Sequence, residues 1–311
     1  MKQVVVFLSL LITGVSFVGA QDNEVFMFCY FKNNGEDGLH LAYSKDGYTF
    51  TALKHDSSFL TPLVGKDKLM RDPCIIRGAD GLFHMVWTVS WGERGIGYAS
   101  SPDLVHWSAQ RYLPVMEHEP GALNCWAPEI TYDRGNGQYI IYWATTIPGR
   151  FPATDTTGDE KYNHRMYYTA TKDFMQLLPA KILYNKGFNI IDASIQPDGK
   201  RFIMFLKDET KKPVPQKNIR IAISNAISSG YSVPSRPVTG NYWAEGPTAI
   251  KIKEQWFVYF DKYASHRYGA VVSSNLKKWT DISDKISFPA GTRHGTVFSI
   301  TEKEFTSFFR Q

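Results

Sequence analysis

The chain repeats one short pattern five times, and this repetition limits its fold more than any other feature. Each copy is an alternating apolar strand followed by Ser or Thr, then an acidic or amide residue, with an aromatic residue a few positions later. The copies lie about 50 to 70 residues apart and begin at Leu41, Gly97, Tyr167, Ile221 and Ala270. Units of this length, rich in β-branched and aromatic residues at period two, are typical of four-stranded propeller blades. No long apolar stripe at period 3.6 favours helical repeats instead.

A second pattern precedes the first in the last four units. It is a short strand that starts near an acidic residue, then a tight turn and a very apolar strand. The acidic residues are Asp72, Glu129, Asp192 and Glu245. Because the innermost strands of a propeller line its axis, equivalent ends converge on one face. We therefore expect these carboxylates to meet in one pocket, walled by the long loops 90–94, 148–165, 208–218 and 261–267.

The first unit lacks such an acidic residue. Residues 25–31 are predicted to form a middle strand of its blade, and residues 293–298 follow the fifth unit with a strand-like pattern. A strand borrowed from the C-terminus would remove the free edges of the ring. The prediction is therefore an all-β, five-bladed β-propeller whose ring is closed by a C-terminal strand joining the first blade, with His294 at the fifth position around the axis.

The ends and the composition limit the setting of this domain. Residues 1–20 have the charge, short apolar run and small residues of a secretory signal peptide, which predicts export to the periplasm or beyond. Residues 21–311 are predicted to be a single domain with no membrane span. The net charge of +5 is spread along the chain, which does not indicate nucleic acid as a partner. The oligomeric state is not indicated.

Three cysteines, Cys29, Cys74 and Cys125, cannot form a disulfide framework, and at least one must be free. None has a His partner in a recognisable catalytic arrangement, so they are interpreted as buried structural thiols. Motifs for a Ser-His-Asp set, a phosphate loop or a zinc site are also lacking.

Glu245 lies between the aromatic pair Tyr242-Trp243 and a Gly-Pro turn. A carboxyl group enclosed by aromatic surface loses hydration, which raises its pKa and suits a general acid. Plainer interpretations exist: Glu245 could face water, Asp72 could cap the turn before Pro73, and Asp192 could belong to a structural salt bridge. The recurrence of acids at similar places in several units favours a shared function.

The order of five signatures resembles glycoside hydrolase family 43, a family of five-bladed propeller enzymes. They are RDP at 71–73, WAPE at 126–129, IDAS at 191–194, EGP at 245–247 and RHGTV at 293–297. The resemblance implies that Asp72 is the general base, Glu245 the general acid and Asp192 the residue that tunes and orients the acid. It also implies that His294 lies beside a water-coordinated calcium ion, although no cofactor is expected to be required. Family members often begin with the base-bearing blade, whereas here a full blade precedes it.

The same resemblance implies an inverting, exo-acting glycosidase that removes terminal pentose from plant-type polysaccharides or oligosaccharides, with α-L-arabinofuranose as the expected sugar. Inversion requires the acid and the base to lie roughly 6.5 to 9.5 Å apart, so that water fits between base and sugar. β-Xylosidase and galactose-specific activities remain open. A retaining mechanism is disfavoured because the first unit has no acid, and a sugar-binding propeller without turnover is the alternative of another class.

Sugars bind by stacking on aromatic rings and by hydrogen bonds from planar polar groups. The candidates for stacking are Trp91, Trp126 and Trp243. The candidate donors to sugar hydroxyls are Arg71, His118, His266 and Arg267, and Glu129 is interpreted as a structural or binding residue.

Overall fold

Short strands are the main regular secondary structure of the described residues. The computed structural model describes residues 24–309, so the predicted signal peptide at residues 1–20 lies outside the described part. In chain order the strands are β1 (Glu24–Tyr30), β2 (His40–Ser44), β3 (Thr51–Ala52), β4 (Arg71–Arg77), β5 (Phe83–Thr88), β6 (Ile96–Ser101), β7 (Arg111–Leu113), β8 (Trp126–Asp133), β9 (Gln138–Thr145), β10 (Arg165–Thr171), β11 (Lys181–Tyr184), β12 (Ile190–Asp198), β13 (Arg201–Asp208), β14 (Asn218–Ser224), β15 (Glu245–Ile252), β16 (Gln255–Lys262), β17 (Arg267–Ser273), β18 (Thr280–Asp281) and β19 (Thr296–Thr301). The helix α1 (Glu302–Phe309) follows, and short 3-10 helices cover Lys54–Asp56, Pro152–Thr154, Tyr263–Ser265 and Ser283–Lys285. Between residues 24 and 309, no helix has the length and apolar character needed to cross a membrane.

The strands form five antiparallel sheets, which we number as blades in chain order. Blade 1 has the order β19-β1-β2-β3, blade 2 β4-β5-β6-β7, blade 3 β8-β9-β10-β11, blade 4 β12-β13-β14 and blade 5 β15-β16-β17-β18. β19 is the inner strand of blade 1 and pairs with β1, with Thr296 opposite Cys29. The predicted five-bladed propeller, closed by a C-terminal strand in the first blade, is confirmed.

Blade 4 departs from the expected four strands. The segment after β14 runs beside it, and the backbone N–H groups of Ser232, Ser235 and Val238 donate to carbonyls of β14. Pro234 and Pro237 interrupt this segment, and a proline has no N–H to continue a ladder. The outer edge of blade 4 is therefore an irregular segment instead of a strand.

The apolar core lies between neighbouring blades. Five buried clusters fill the five interfaces, and middle strands such as β13 contribute to two of them, because both faces of the strand are covered. This explains why these strands read as continuous apolar runs and not as alternating ones. Trp87 and Trp143, both fully buried, are among the largest side chains in this core.

The repeated Ser/Thr and Asp/Asn pair closes a turn at the outer side of the blades. In blade 2, Ser101 Oγ accepts the N–H groups of Asp103 and Leu104, and Asp103 Oδ1 accepts those of the next two residues. Corresponding bonds surround Asp46, Asp173 and Asn275. In four of the five blades the sequence repeat thus records a turn that side chains complete at fixed offsets, and in blade 4 Ser224 Oγ accepts the N–H of Ala226.

The cysteines fit the interpretation made from the sequence. Cys29, Cys74 and Cys125 are unpaired and buried, and burial raises the pKa of all three thiols. Thiols of this kind are unreactive packing groups.

Candidate active site

A β-bulge recurs at the start of the inner strand in blades 2 to 5. The register shifts between Arg71 and Cys74, between Trp126 and Glu129, between Ile191 and Ser194, and between Glu245 and Thr248. The second residue of each bulge has a positive φ: 51° at Asp72, 45° at Ala127, 52° at Asp192 and 58° at Gly246. A bulge re-aims the side chains beside it, and here it does so at the same level in four blades.

The bulge brings three carboxylates from three blades into one cavity on the axis. The cavity has a volume of about 220 Å³, and Asp72, Asp192 and Glu245 all line it. Asp72 and Asp192 occupy the second bulge position, whereas Glu245 occupies the first. The expectation that these acids converge is met, while their catalytic roles stay predictions. Four more predicted residues line the same cavity: Arg71, Trp91, Trp126 and His294.

Asp72 is held in its ionised form. Thr88 Oγ1 donates to its Oδ2 at 2.8 Å, and Nδ1 of His294 lies 3.4 Å from its Oδ1. Burial acts to raise the pKa of Asp72, but His294, Arg71 and Thr88 outweigh it and lower that pKa to about 2. An ionised carboxylate in a sugar-sized cavity can accept a proton from water.

Glu245 forms ion pairs with two cations. Lys207 Nζ lies 2.9 Å from Glu245 Oε2, and Arg293 NH2 lies 3.4 Å from Oε1. The ring of Tyr242 stacks on Phe260 instead, 5.9 Å between centroids. Burial acts to raise the pKa of Glu245, but Lys207 outweighs it, so the pKa lies below its ordinary value. The prediction of a raised pKa through aromatic enclosure is therefore wrong for this conformation.

Asp192 is 6% exposed, and the charges of the other two carboxylates act on it. Its Oδ2 accepts the backbone N–H of Gly246 at 3.0 Å. Burial raises its pKa to about 6, and the negative charges of Glu245 and Asp72 add to the effect. Because Asp192 gains a proton just below neutral pH, its protonation changes the electrostatic potential at Glu245.

His294 occupies the fifth position around the axis, as predicted. Burial acts to lower its pKa, but Asp72 and Asp192 outweigh it and raise the pKa to about 9. In that form both ring nitrogens carry protons, which favours the contact with Asp72. The described residues include no group of three or more His, Cys, Asp or Glu side chains that could hold a metal ion. The water-coordinated calcium ion stays a prediction.

Arg71, Trp91 and Trp126 form one wall of the cavity. The guanidinium of Arg71 lies 4.2 Å from the ring centroid of Trp91, and Trp91 meets Trp126 edge-to-face at 5.4 Å. Trp91 is 46% exposed, which leaves ring surface for a ligand. These contacts make the wall rigid and partly apolar, as sugar stacking requires.

Glu129 is the acid that the structure does not bring into the cavity. It is the fourth residue of its bulge, two positions beyond the place of Asp72 and Asp192, and only 5% exposed. Thr296 Oγ1 and the hydroxyl of Tyr142 donate to it, and burial raises its pKa to about 7. Since Glu129 lies inside the ring, the interpretation as a binding residue is not supported and the structural one is.

Four other predicted sugar contacts lie outside the cavity. His118 is exposed in the turn before β8, and His266 and Arg267 line a separate groove at the start of β17. Trp243 contacts Tyr263 with ring centroids 6.0 Å apart, and it lines a groove with Tyr242. Nearness in sequence to a motif did not predict which loop residues reach the cavity, because blade geometry decides the direction of each loop.

Sequence reasoning missed Thr88, Lys207, Glu209 and Arg293, which also line the cavity. Lys207 is the residue that a signal could have identified. It follows the apolar run at 202–206 on a middle strand, where a charged side chain is costly unless it is paired. Arg293 belongs to the RHGTV motif, which by itself assigns it no role.

A family described as "Probable glycosyl hydrolase domain", related to glycosyl hydrolase family 43, matches residues 22–306. The solved structure of the α-L-arabinofuranosidase from Lactobacillus brevis has a TM-score of 0.58 at 18% identity, over 76% of this chain and 80% of that one. A family 43 β-1,3-galactosidase with galactodeoxynojirimycin has a TM-score of 0.55 at 12% identity, over 75% of this chain and 82% of that one. At such identities the likeness shows the fold alone. None of the curated proteins matches by sequence.

Proposed function

The chain belongs to the glycosyl hydrolase 43-related family, and we propose that it is an exported, inverting, exo-acting glycosidase that removes terminal pentosyl residues. The observation that carries this proposal is the meeting of Asp72, Asp192 and Glu245 in one cavity with a stacking wall. α-L-Arabinofuranosyl groups on plant-type polysaccharides or oligosaccharides are the proposed substrate. The signal-peptide pattern at residues 1–20 supports export.

Asp72 is the proposed general base. Its carboxylate takes a proton from a water molecule while the water oxygen attacks the anomeric carbon. Glu245 gives its proton to the glycosidic oxygen, the bond from that oxygen to the anomeric carbon breaks, and the configuration inverts. The hydrogen bond from Thr88 and the charge of His294 support the first role, because they keep Asp72 ionised and oriented.

Glu245 must gain a proton before it can act as the acid. In the structure the ammonium of Lys207 favours its ionised form. Substrate binding therefore has to weaken this ion pair or to bring Glu245 a proton. Asp192 assists as a neighbouring negative charge, which disfavours ionisation of Glu245.

The size of the cavity supports exo action. Its volume of about 220 Å³ is below the roughly 300 to 1,000 Å³ that holds a drug-sized ligand, and suits a single sugar ring. A second cavity of about 350 Å³ shares Trp126 and Glu209 with it and is also lined by Tyr162. We place the leaving sugar there.

The choice of pentose rests on the family resemblance and on the likeness to an α-L-arabinofuranosidase. The likeness to a β-1,3-galactosidase keeps a galactose-specific enzyme as the alternative. β-Xylosidase activity and binding without turnover are the remaining outcomes of the test.

The test is release of p-nitrophenol from a panel of aryl pentosides and hexosides by the wild type, Glu245→Ala and Asp72→Ala. We expect turnover on one glycone and its loss in both variants, with the product anomer followed by NMR to detect inversion. His266→Ala, outside the cavity, is the matched control and should retain activity. Binding of sugars without hydrolysis of aryl glycosides or branched oligosaccharides would contradict the enzymatic proposal.

A further inference from the structure

We propose that Lys207 is a positioning residue whose ammonium group is divided between Glu245 and Glu209, and that Glu209 thereby governs how firmly the resting site keeps Glu245 ionised. The inference rests on the proposed role of Glu245 as the general acid. Neither Lys207 nor Glu209 belongs to the five family signatures.

The contacts of Lys207 show the division directly. Lys207 lies near the end of β13, is 2% exposed, and its Nζ is 2.9 Å from Glu245 Oε2 and 2.7 Å from Glu209 Oε2. The same Nζ lies 4.8 Å from the ring centroid of Tyr263. A buried ammonium between two carboxylates can move toward either one. Each carboxylate therefore weakens the ion pair that the ammonium forms with the other.

Glu209 is itself shared. Lys217, which is also 2% exposed, forms ion pairs with Glu209 and Asp159, and Lys211 lies 2.8 Å from Asp159. Opposite charges therefore alternate from Glu245 through Lys207, Glu209 and Lys217 to the 148–165 loop. Because Lys217 already pairs with Glu209, Lys207 is not held by Glu209 alone and remains available to Glu245.

The other charged and titratable groups that face Glu245 do not take over this role. Arg293 is 3.4 Å from Glu245, but its Nε is 2.7 Å from Asp261, which opposes Glu245 on β16. Burial raises the pKa of Asp261 to about 6, and Asp192 behaves likewise. The remaining titratable groups that act on Glu245 or Lys207 are His294 and Tyr263. Asp72 acts on Asp192. Among the described residues, Lys207 is the nearest cation to Glu245.

Removing the charge of Lys207 and removing the charge of Glu209 should have opposite effects on the pKa of Glu245. Lys207→Met removes the charge that keeps Glu245 ionised, so the pKa of the acid should rise by about one unit or more. Glu209→Gln leaves Glu245 as the stronger of the remaining partners, so the pKa of the acid should fall. A purely structural role would give no such pair of opposite shifts.

The experiment is the pH dependence of kcat/KM for the wild type, Lys207→Met and Glu209→Gln, since this profile reports the free enzyme. We expect the alkaline limb to move up in Lys207→Met and down in Glu209→Gln, while Lys207→Arg, which keeps the charge, stays near the wild type. Lys251→Met is the matched control and should not shift the limb, because Lys251 is an exposed lysine near the end of β15, paired with Glu254 in the turn that follows. Unchanged limbs, or shifts in the same direction, would overturn the inference.

A second readout separates this inference from the proposed function. Titration of the Glu245 carboxyl by 13C NMR, assigned with Glu245→Gln, does not need turnover. If aryl glycosides and oligosaccharides are not hydrolysed but the opposite shifts are seen in this titration, the proposed function fails and the sharing of Lys207 stands. If Lys207→Met does not fold, the downward shift in Glu209→Gln decides the matter, and its absence refutes the inference.

Discussion

Adding one methyl group at Gly246 should destabilise the protein by moving His294. Gly246 has a φ of +58°, and a Cβ built on it would lie 2.4 Å from Cγ and 2.5 Å from Cδ2 of the His294 ring. A residue with a Cβ at such a φ costs roughly 1 to 2 kcal/mol, and overpacking adds about 1 to 3 kcal/mol. Gly246→Ala should therefore lower the free energy of unfolding by about 2 to 5 kcal/mol.

Activity should fall with stability. His294 is 7% exposed, so the ring has little space to move, and it contacts Asp72. The backbone N–H of Gly246 also donates to Asp192. The variant should thus lose activity even at temperatures where it is folded, which urea denaturation and aryl glycoside kinetics on the same sample would measure.

Ala127 provides the matched control. It occupies the same bulge position in blade 3, with a φ of 45°, and its N–H donates to Thr88 Oγ1 at 2.8 Å. Ala127→Gly relieves backbone strain, while the greater freedom of the unfolded chain costs about 0.4 to 1 kcal/mol, so its stability should change little. Stability of Gly246→Ala within about 0.5 kcal/mol of the wild type, or an equal loss in Ala127→Gly, would refute the reasoning.

Three further predictions concern buried groups. Burial raises the folded-state pKa of Glu129 from 4.5 to about 7. The stability contributed by its protonated form is fully present below the unfolded-state pKa and is lost as the pH rises through the folded-state pKa. This loss lowers the free energy of unfolding by about 3 kcal/mol. The urea midpoint of the wild type should therefore fall between pH 5 and 8, and Glu129→Gln should reduce this fall. The same fall in both proteins would contradict the prediction. Thr88→Val removes the hydrogen bond to Asp72, so kcat should drop about tenfold and the acidic limb of the pH–rate profile should move to higher pH. Thr88→Ser should keep the wild-type kcat and the wild-type limb. Equal profiles for the two variants would contradict the role of this hydrogen bond. The three cysteines should react with a thiol reagent only on unfolding, and fast labelling of the native protein would show that burial is incomplete.

The fold was predictable because its signals are local. The turn built on Ser101 and Asp103 recurs at fixed offsets in the sequence, and each middle strand is marked by its apolar run. The closing role of β19 also followed, since blade 1 lacked an inner strand. The irregular edge of blade 4 was missed because four strands were expected in every blade, whereas Pro234 and Pro237 have no N–H to complete a ladder.

The candidate site was predictable only where residues belong to repeated motifs. Asp72, Asp192 and Glu245 could be placed near one another because equivalent strand ends converge. Glu129 could not be separated from them by pattern, since two positions along a bulged strand decide whether an acid faces the cavity or the inside of the ring. The loop residues His118 and Arg267 carried no signal of direction.

The sequence by itself determined the number of blades, the closing strand and the convergence of the strand ends that carry the acids, because turn chemistry and strand periodicity act between residues close along the chain. Only the tertiary structure decided which charges meet. Lys207 and Glu245 come from different blades, and their ion pair exists because blade packing brings the end of β13 beside the start of β15. The charge state of a buried carboxylate depends on such neighbours through the inverse of distance, and a linear sequence does not contain those distances.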